Sequence, residues 1–394
     1  MQWIDDGRGQ VNAVKTTGIY CRAGCAGRPN PENVARLGSP VEAEVAGYRS
    51  CLRCRSDELP IVTFKDHFDP LVARALLQIC NGYLDAHTEQ DLAASVGASA
   101  RHLRRLFALS IGATPSEVAR SRRSHFARLL LDGTDLAMTD VAYASGFGSQ
   151  RRMNDVMIET FKFTPTELRA RRRRRSSSSV DGGLKLRLSA TRAIEFERII
   201  DQLGETMIEG VESISDRTYR RTTEVCGHPG VIEISCDKAD RELIVVVHLP
   251  TLAGLINEVA KCRRLVRLDA AAPGPPGGWG RFETAVRSLF ETATGRAEAR
   301  KLLADLAASD GGTVPGAQEF GLTRQFPAAS KLATAEAGTG VLNPSLARDL
   351  QCLAELELSG ELAAMNRTAL DRSLATTAIS PQARQAVAAA LLDS

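Results

Sequence analysis

A chain of 394 residues, 43% hydrophobic and 25% charged with a formal charge of +3, has the composition of a globular protein with room for several modest domains rather than one core. It opens Met1-Gln2-Trp3-Ile4-Asp5-Asp6, without the basic start and apolar run of an export signal, and its longest apolar stretches, such as Leu243 to Leu249, are far too short to span a membrane. These features point away from secretion and membrane insertion and toward the cytoplasm.

The charge is unevenly spread. Residues 1–175 carry 26 Lys/Arg against 19 Asp/Glu, residues 176–394 carry 24 against 28, and residues 101–175 alone hold 16 against 7. A basic N-terminal half points to nucleic acid, whose phosphates bind cationic side chains and release counterions.

The first chemical feature along the chain is Cys21 and Cys25, then Cys51 and Cys54, with 25 residues between the two pairs. Each short spacing lets one segment supply two thiolates at about 2.3 Å to a tetrahedral Zn²⁺. One reading is a structural staple. The other is a reactive centre, because a metal-bound thiolate stays deprotonated at neutral pH and can attack an electrophilic carbon. The remaining cysteines, Cys80, Cys226, Cys236, Cys262 and Cys352, are scattered singly, fit a reducing compartment, and are expected as core fillers.

The residues around this set are distinctive. Lys15-Thr16-Thr17-Gly18-Ile19-Tyr20-Cys21-Arg22-Ala23-Gly24-Cys25, then Arg28, Glu32-Asn33-Val34 and Gly47-Tyr48-Arg49-Ser50-Cys51-Leu52-Arg53-Cys54, resemble the N-terminal domain of the Ada adaptive-response regulators over about residues 6–56. The resemblance implies that Cys21 both ligates zinc and accepts a methyl group from a methylated DNA phosphate. Cys25, Cys51 and Cys54 are then the other ligands, and the DNA-facing positions fall on Thr17, Arg28, Arg49 and Arg53. Ala23-Gly24 departs from the Pro-Ser usual between the first two cysteines. Turning one of four thiolates into a thioether takes the site from −2 to −1. At ~8 Å and an effective dielectric of ~20, that charge is worth about 2 kcal/mol toward a phosphate backbone.

The basic segment contains an internal repeat. Gly97, Leu103, Phe107 and Thr114-Pro115 recur as Gly146, Met153, Met157 and Thr164-Pro165. Each copy reads as helix-turn-helix: Gln90–Val96, a turn at Gly97, and a helix from Ala100 to about Ser110 capped by Ser99; then a helix capped by Thr139 through Ser145, a turn at Gly146, and a helix from Ser149 to about Thr160. A linking helix covers Pro115–Leu131. The pair resembles the DNA-binding domain of the AraC family over about residues 72–172. The candidate base readers are Arg101, His102, Arg104 and Arg105 in the first unit and Ser149, Gln150, Arg151 and Asn154 in the second, with Leu103, Leu106 and Phe107 facing inward.

Arg169 and Arg171 to Arg175 run into Ser176 to Ser179 and Val180-Asp181-Gly182-Gly183, which reads as a polycationic tail and linker. Strand patterns follow at Leu184–Leu188, Tyr219–Thr223, Gly230–Cys236 and Glu242–Leu249, with helices from about Ala193 to Leu203 and Leu252 to Leu265. This order, with Thr218-Tyr219-Arg220-Arg221-Thr222 and Cys262 to Asp269, resembles the N-terminal domain of 3-methyladenine DNA glycosylase II. Trp279 to Leu306 resembles the first helix of that family's helical domain. Ala378-Ile379-Ser380-Pro381-Gln382-Ala383 stands where a glycine-rich hairpin would approach a phosphate, and no catalytic aspartate is recognisable before Ser394. A Pro-Cys-His-Arg methyltransferase motif is also absent.

The expected architecture is a multidomain α+β chain: a four-cysteine zinc domain (1–68), an all-α double helix-turn-helix domain (69–175), a linker (176–183), a small α+β sheet domain (184–271) and a helical region (272–394). The expected function is a methylation-responsive transcriptional activator that takes a methyl group from DNA phosphotriesters in a single turnover, with Zn²⁺ as cofactor and no glycosylase activity. Double-stranded DNA and RNA polymerase are the implied partners, with the protein acting as a monomer associated with the nucleoid. A working fused glycosylase and an AraC-type regulator with a purely structural zinc site are the alternatives.

Overall fold

The computed structural model describes residues 10–27, 29–58, 68–172, 179–180, 182–190, 192–268, 276–334, 336, 338, 340–363, 374–375 and 379–393. Arg28, Arg173 to Ser178, Ala378 and Asp371 lie outside these residues. By internal packing the chain forms two compact units, one mainly of residues before 179 and one mainly of residues from 179 onward. Among the described residues no helix is long and apolar enough to cross a membrane.

The first unit starts with a four-stranded sheet of order β3-β1-β2-β4, with β1 Val11–Val14, β2 Ile19–Cys21, β3 Val34–Leu37 and β4 Arg49–Ser50. Alternation along β1 and β2 turns Val11, Ala13 and Tyr20 inward, all with no exposed surface, against Ala43 of helix α1 (Pro40–Val45). Ser39 caps α1 through the Glu42 N–H, and Pro40 occupies its first turn, where a missing N–H costs nothing.

Helix α1 also belongs to the next core. Its Val41 packs with Val72, Leu76 and Ile79 of α2 (Pro70–Cys80) and with Leu92, Leu103, Phe107 and Val118. A short helix, α3 (Tyr83–Ala86), leads to the first helix-turn-helix, α4 (Glu89–Ser95) and α5 (Ala100–Ile111). The central helix α6 (Pro115–Gly133) is followed by the second pair, α7 (Met138–Ala144) and α8 (Gln150–Phe161), and by α9 (Pro165–Ala170). The two turn glycines adopt matching left-handed conformations, φ +77° at Gly97 and +79° at Gly146, which a side chain would strain. Capping boxes Thr88/Asp91, Thr114/Glu117 and Thr164/Glu167 start α4, α6 and α9. Thr139 is not the cap of α7: that helix begins at Met138, with Ala137 at the cap position and no side chain closing it. Leu103, Phe107, Met153 and Met157 are buried, and Leu106 packs half-buried against the same core.

The second unit contains a fully antiparallel six-stranded sheet, order β5-β6-β10-β9-β8-β7, from β5 Ser179–Val180, β6 Gly183–Ser189, β7 Glu212–Ser215, β8 Thr218–Val225, β9 His228–Cys236 and β10 Glu242–His248. Two of these strands were not legible in the sequence. Val180 pairs with Gly183, so the expected linker closes as a hairpin at its C-terminal end. Glu212–Ser215 lacks the apolar alternation of a strand yet pairs with β8 over four residues. Helix α10 (Phe196–Thr206) starts three residues later than expected, and α11 covers Leu255–Leu265. The helical region follows with α12 (Arg281–Thr294), α13 (Arg296–Asp310), α14 (Ala329–Leu332), α15 (Pro344–Leu358) and a last long helix, Pro381–Asp393, around a core including Val286, Leu289, Phe290, Leu303, Leu350 and Val387.

Sheet and helices of this unit meet at a buried charge lattice. The Arg221 guanidinium donates to Glu283 at 2.8 Å and to Glu212 at 3.4 Å, and Arg287 donates to both carboxylates at 2.8 Å. Tyr219 donates to Glu212, and the Arg221 guanidinium carbon lies 4.2 Å from the centroid of the Trp279 ring. The expectation that the scattered cysteines fill cores holds for Cys262, which is fully buried, but not for Cys226. The latter is exposed in the β8–β9 turn at φ +52° because the tight hairpin turns it outward.

Candidate metal centre and nucleic-acid interface

Two local devices assemble the cysteine cluster. Strands β2 and β4 pair in parallel, Ile19 with Arg49 and Tyr20 with Ser50, so the next residues, Cys21 and Cys51, emerge side by side from the sheet. Tight turns then return Cys25 and Cys54 to them: the Cys25 N–H donates to the Arg22 carbonyl, and Gly24 adopts φ +74°. All four Sγ atoms lie within 4.8 Å of one another. Tetrahedral ligands at about 2.3 Å stand ~3.8 Å apart, so this donor set fits Zn²⁺ after a small contraction.

The sulfurs are not equivalent. Cys25 and Cys54 are buried, at 7% and 8% exposure, whereas Cys21 and Cys51 are half-buried. Each buried sulfur also meets a backbone N–H, Gly27 at 3.5 Å from Cys25 and Arg22 at Cys54. The thiols share protons when no cation neutralises them. The Cys21 thiol donates toward Cys54, whose pKa falls to about 5, while that bond, burial and neighbouring thiolate charge push Cys21 well up. The chemistry of the set therefore calls for a cation if Cys21 is to be a thiolate.

Behind the cluster, Ser56 is fully buried and ties both halves together: its hydroxyl donates to the Tyr20 carbonyl at 2.8 Å and accepts the Cys51 N–H at 3.0 Å. Beyond it a polar interlock reaches α6. The Glu44 carboxylate of α1 accepts from the Tyr20 hydroxyl at 2.8 Å, the Ser121 hydroxyl at 2.6 Å and the His125 Nε2–H. His125 Nδ1 bonds the Asp57 carbonyl at 2.8 Å. Arg55 bridges Asp57 at 2.6 Å and Asp132 at 2.5 Å, and Arg128 pairs with Asp132 at 3.0 Å. Burial alone would lower the His125 pKa, but the Glu44 charge and hydrogen bond, with Asp57, outweigh it and hold the imidazole above its ordinary value. Arg55 in turn keeps Asp57 below the usual carboxylate range despite its burial.

None of Glu44, Ser56, Asp57, Ser121 or His125 was identified from the sequence. A signal was present: Ser121, His125, Arg128 and Asp132 recur at spacings of three and four along α6, a polar stripe on a helix whose neighbours Val118, Leu130 and Leu131 are buried.

The candidate DNA-facing residues fall as follows. Thr17 is exposed in the β1–β2 turn, with its hydroxyl 3.5 Å from the Val14 carbonyl, and Arg53 is exposed beside Cys54. Arg49 is half-buried, its guanidinium carbon 5.5 Å from the Phe163 ring centroid. On α5, Arg101, Arg104 and Arg105 are exposed and His102 is half-buried; Arg104 pairs with Glu89 of α4. On α8, Arg151 is exposed, and Gln150 and Asn154 are half-buried. Ser149 serves as the cap of α8, accepting the Arg152 N–H at 3.2 Å.

Three family models match the chain. Residues 8–57 match the metal binding domain of Ada, residues 92–171 a helix-turn-helix domain, and residues 185–273 the AlkA N-terminal domain. A protein of Mycobacterium tuberculosis named probable bifunctional transcriptional activator/DNA repair enzyme AlkA is 36% identical over 263 residues, 66% of this chain and 53% of that protein. The bifunctional transcriptional activator/DNA repair enzyme Ada of Escherichia coli is 31% identical over 160 residues, 40% of this chain and 44% of that protein. The chain thus spans about half the length of the curated relatives it matches. A solved 3-methyladenine DNA-glycosylase from Archaeoglobus fulgidus aligns with 53% of this chain and 80% of its own at 15% identity and a TM-score of 0.45. Region by region, the chain matches the models of the Ada metal-binding domain, a helix-turn-helix domain and the AlkA N-terminal domain, in that order along one polypeptide.

Proposed function

We propose that the chain is a methylation-responsive transcriptional activator whose Cys21 takes a methyl group from a DNA methylphosphotriester and keeps it. The observation that carries this reading is the asymmetry of the cysteine cluster: Cys21 and Cys51 are half-buried, while Cys25 and Cys54 are buried. Exposed Arg22 follows Cys21 directly, and exposed Arg53 stands two positions after Cys51. Between the two accessible thiols, the match to the Ada metal-binding domain favours Cys21. Cys21, Cys25, Cys51 and Cys54 would hold Zn²⁺, which when bound keeps their thiols deprotonated. The Cys21 Sγ lone pair forms the S–CH₃ bond as the O–CH₃ bond of the phosphotriester breaks, and the leaving group is the ordinary phosphodiester anion. No proton moves, so no general base is needed. Arg22, Arg49 and Arg53 would orient the backbone, and the exposed arginines of α5 and α8 would read the operator.

The product is a site with one negative charge fewer, which favours DNA. For the helical region we propose no base excision: Ser380-Pro381-Gln382-Ala383 offers a proline and side chains where a backbone amide would have to meet a phosphate. Release of 3-methyladenine from alkylated DNA by the purified chain would overturn that part.

The test is intact mass spectrometry of zinc-loaded protein before and after incubation with methylphosphotriester duplex, with Cys21→Ala as control. The expected result is a gain of one methyl mapped to Cys21 and none in the variant. Zinc-loaded, folded protein that gains no methyl would reduce the site to a structural staple.

A further inference from the structure

We propose that Arg49, Phe163 and Arg171 form a composite phosphate site to which the zinc domain and the helix-turn-helix domain each contribute a guanidinium, so that one phosphodiester of bound DNA is gripped by both. The site rests on the reading of this unit as DNA-binding, but not on methyl transfer to Cys21.

Phe163 lies in the turn between α8 and α9, half-buried, and two arginines from distant parts of the sequence converge on its ring. The Arg49 guanidinium carbon is 5.5 Å from the centroid and that of Arg171 is 4.3 Å away. Arg49 comes from β4, two residues before Cys51, and Arg171 is the C-cap of α9.

Several arginines of this unit, Arg55, Arg104, Arg120, Arg123, Arg128 and Arg172, pair with a carboxylate, and others such as Arg101 and Arg151 stand exposed; what sets Arg49 and Arg171 apart is that both converge on one ring. Arg49 and Arg171 donate to carbonyls, of Ser50 at 3.1 Å and of Glu167 at 3.4 Å, and neither makes a direct carboxylate bond among the described residues, although the Thr164 hydrogen bonds, helped by the Arg171 charge, hold the Glu167 carboxyl below its ordinary range. Two like charges sharing one ring repel each other, and the ring removes part of the water that would screen them. A single anion relieves that repulsion. The non-bridging oxygens of a phosphodiester suit two planar guanidiniums, which can each donate two N–H groups. Because Arg49 is so close to Cys51, a phosphate held here lies on the strand that runs past the cysteine cluster. The interlock of Glu44 with Ser121 and His125 fixes the two domains in the relation this shared grip requires.

The test uses zinc-loaded full chain and unmethylated duplex DNA, with affinity measured across a salt series for wild type, Arg49→Gln, Arg171→Gln, the double variant and Phe163→Leu. Each lost phosphate contact flattens the log–log salt dependence by about 0.9. The expected result is that Arg171→Gln alone flattens the slope by up to that amount and weakens binding about threefold to tenfold, and that the double variant loses little more than either single one. Phe163→Leu, which keeps both charges, is expected to weaken binding similarly, with zinc content unchanged. An unchanged slope in Arg171→Gln, strictly additive losses in the double variant, or wild-type binding by Phe163→Leu would each overturn the proposal. Failure of methyl transfer to Cys21 would leave all these slopes as they are, so the two readings fail separately.

Discussion

Replacing Glu44 by Gln tests whether the zinc domain and α6 are held as one body. The substitution preserves volume and one acceptor oxygen but removes the charge that faces Tyr20, Ser121 and His125, all buried or nearly so. Three charge-assisted bonds become neutral, each losing on the order of 1 kcal/mol, so local stability should drop by about 2–4 kcal/mol. Because a chain of several domains does not unfold in one step, the suitable assay is hydrogen exchange resolved by peptide. Amides of Pro115–Gly133 and of Ile19–Cys21 should exchange about thirty- to several-hundred-fold faster in the variant. The effect has a pH signature. His125 is held above its ordinary pKa against burial by Glu44 and Asp57, and Asp57 in turn faces Arg55 and Arg128, which pair with Asp132. Its contribution is therefore complete below about pH 6.5 and is lost as pH rises through the raised folded value. The gap between wild type and Glu44→Gln should narrow across that rise. Unchanged protection in α6, or a gap that widens with pH, would refute the reasoning.

Ser56→Ala leaves the Tyr20 carbonyl and Cys51 N–H bonded only to each other; it should cost about 1–3 kcal/mol and speed zinc loss to a chelator, read by a colorimetric zinc assay. In the second unit, Arg221 and Arg287 hold Glu283 down to about 2 against full burial, so that lattice stabilises fully above the ordinary carboxylate pKa of about 4.3 and weakens as pH falls toward 2. Glu283→Gln should lower the thermal midpoint at pH 7 and flatten its fall in that acid window, as followed by calorimetry. Met157→Ala should cost about 2–5 kcal/mol, since Met157 is fully buried in the second helix-turn-helix, and circular dichroism melts would detect it.

What the sequence disclosed followed from local chemistry. The cysteine spacings located the metal cluster, and the repeated Gly and Thr-Pro signals located both helix-turn-helix units within a residue or two, because caps and turns are written in the few residues that form them. Strand β7 was missed because its partners, not its own alternation, make it a strand. Thr139 was misread because a strong capping residue stood one place inside a helix that starts with none. The interlock was missed for a different reason: Glu44 and His125 are 81 residues apart, and nothing near either names the other.

The parallel pairing of β2 with β4 gives the cysteine cluster a kinetic character of its own. Its two halves sit on either side of a 25-residue loop, and bringing such ends together costs about 3 kcal/mol of chain entropy beyond a constant. Strands of three and two residues recover little of that, whereas binding a structural zinc ion yields on the order of 10 kcal/mol or more. Closure of this loop is therefore the step that metal supply controls. In a cell short of zinc, newly made chains would present four neighbouring thiols to oxidants before they ever presented a folded surface to DNA.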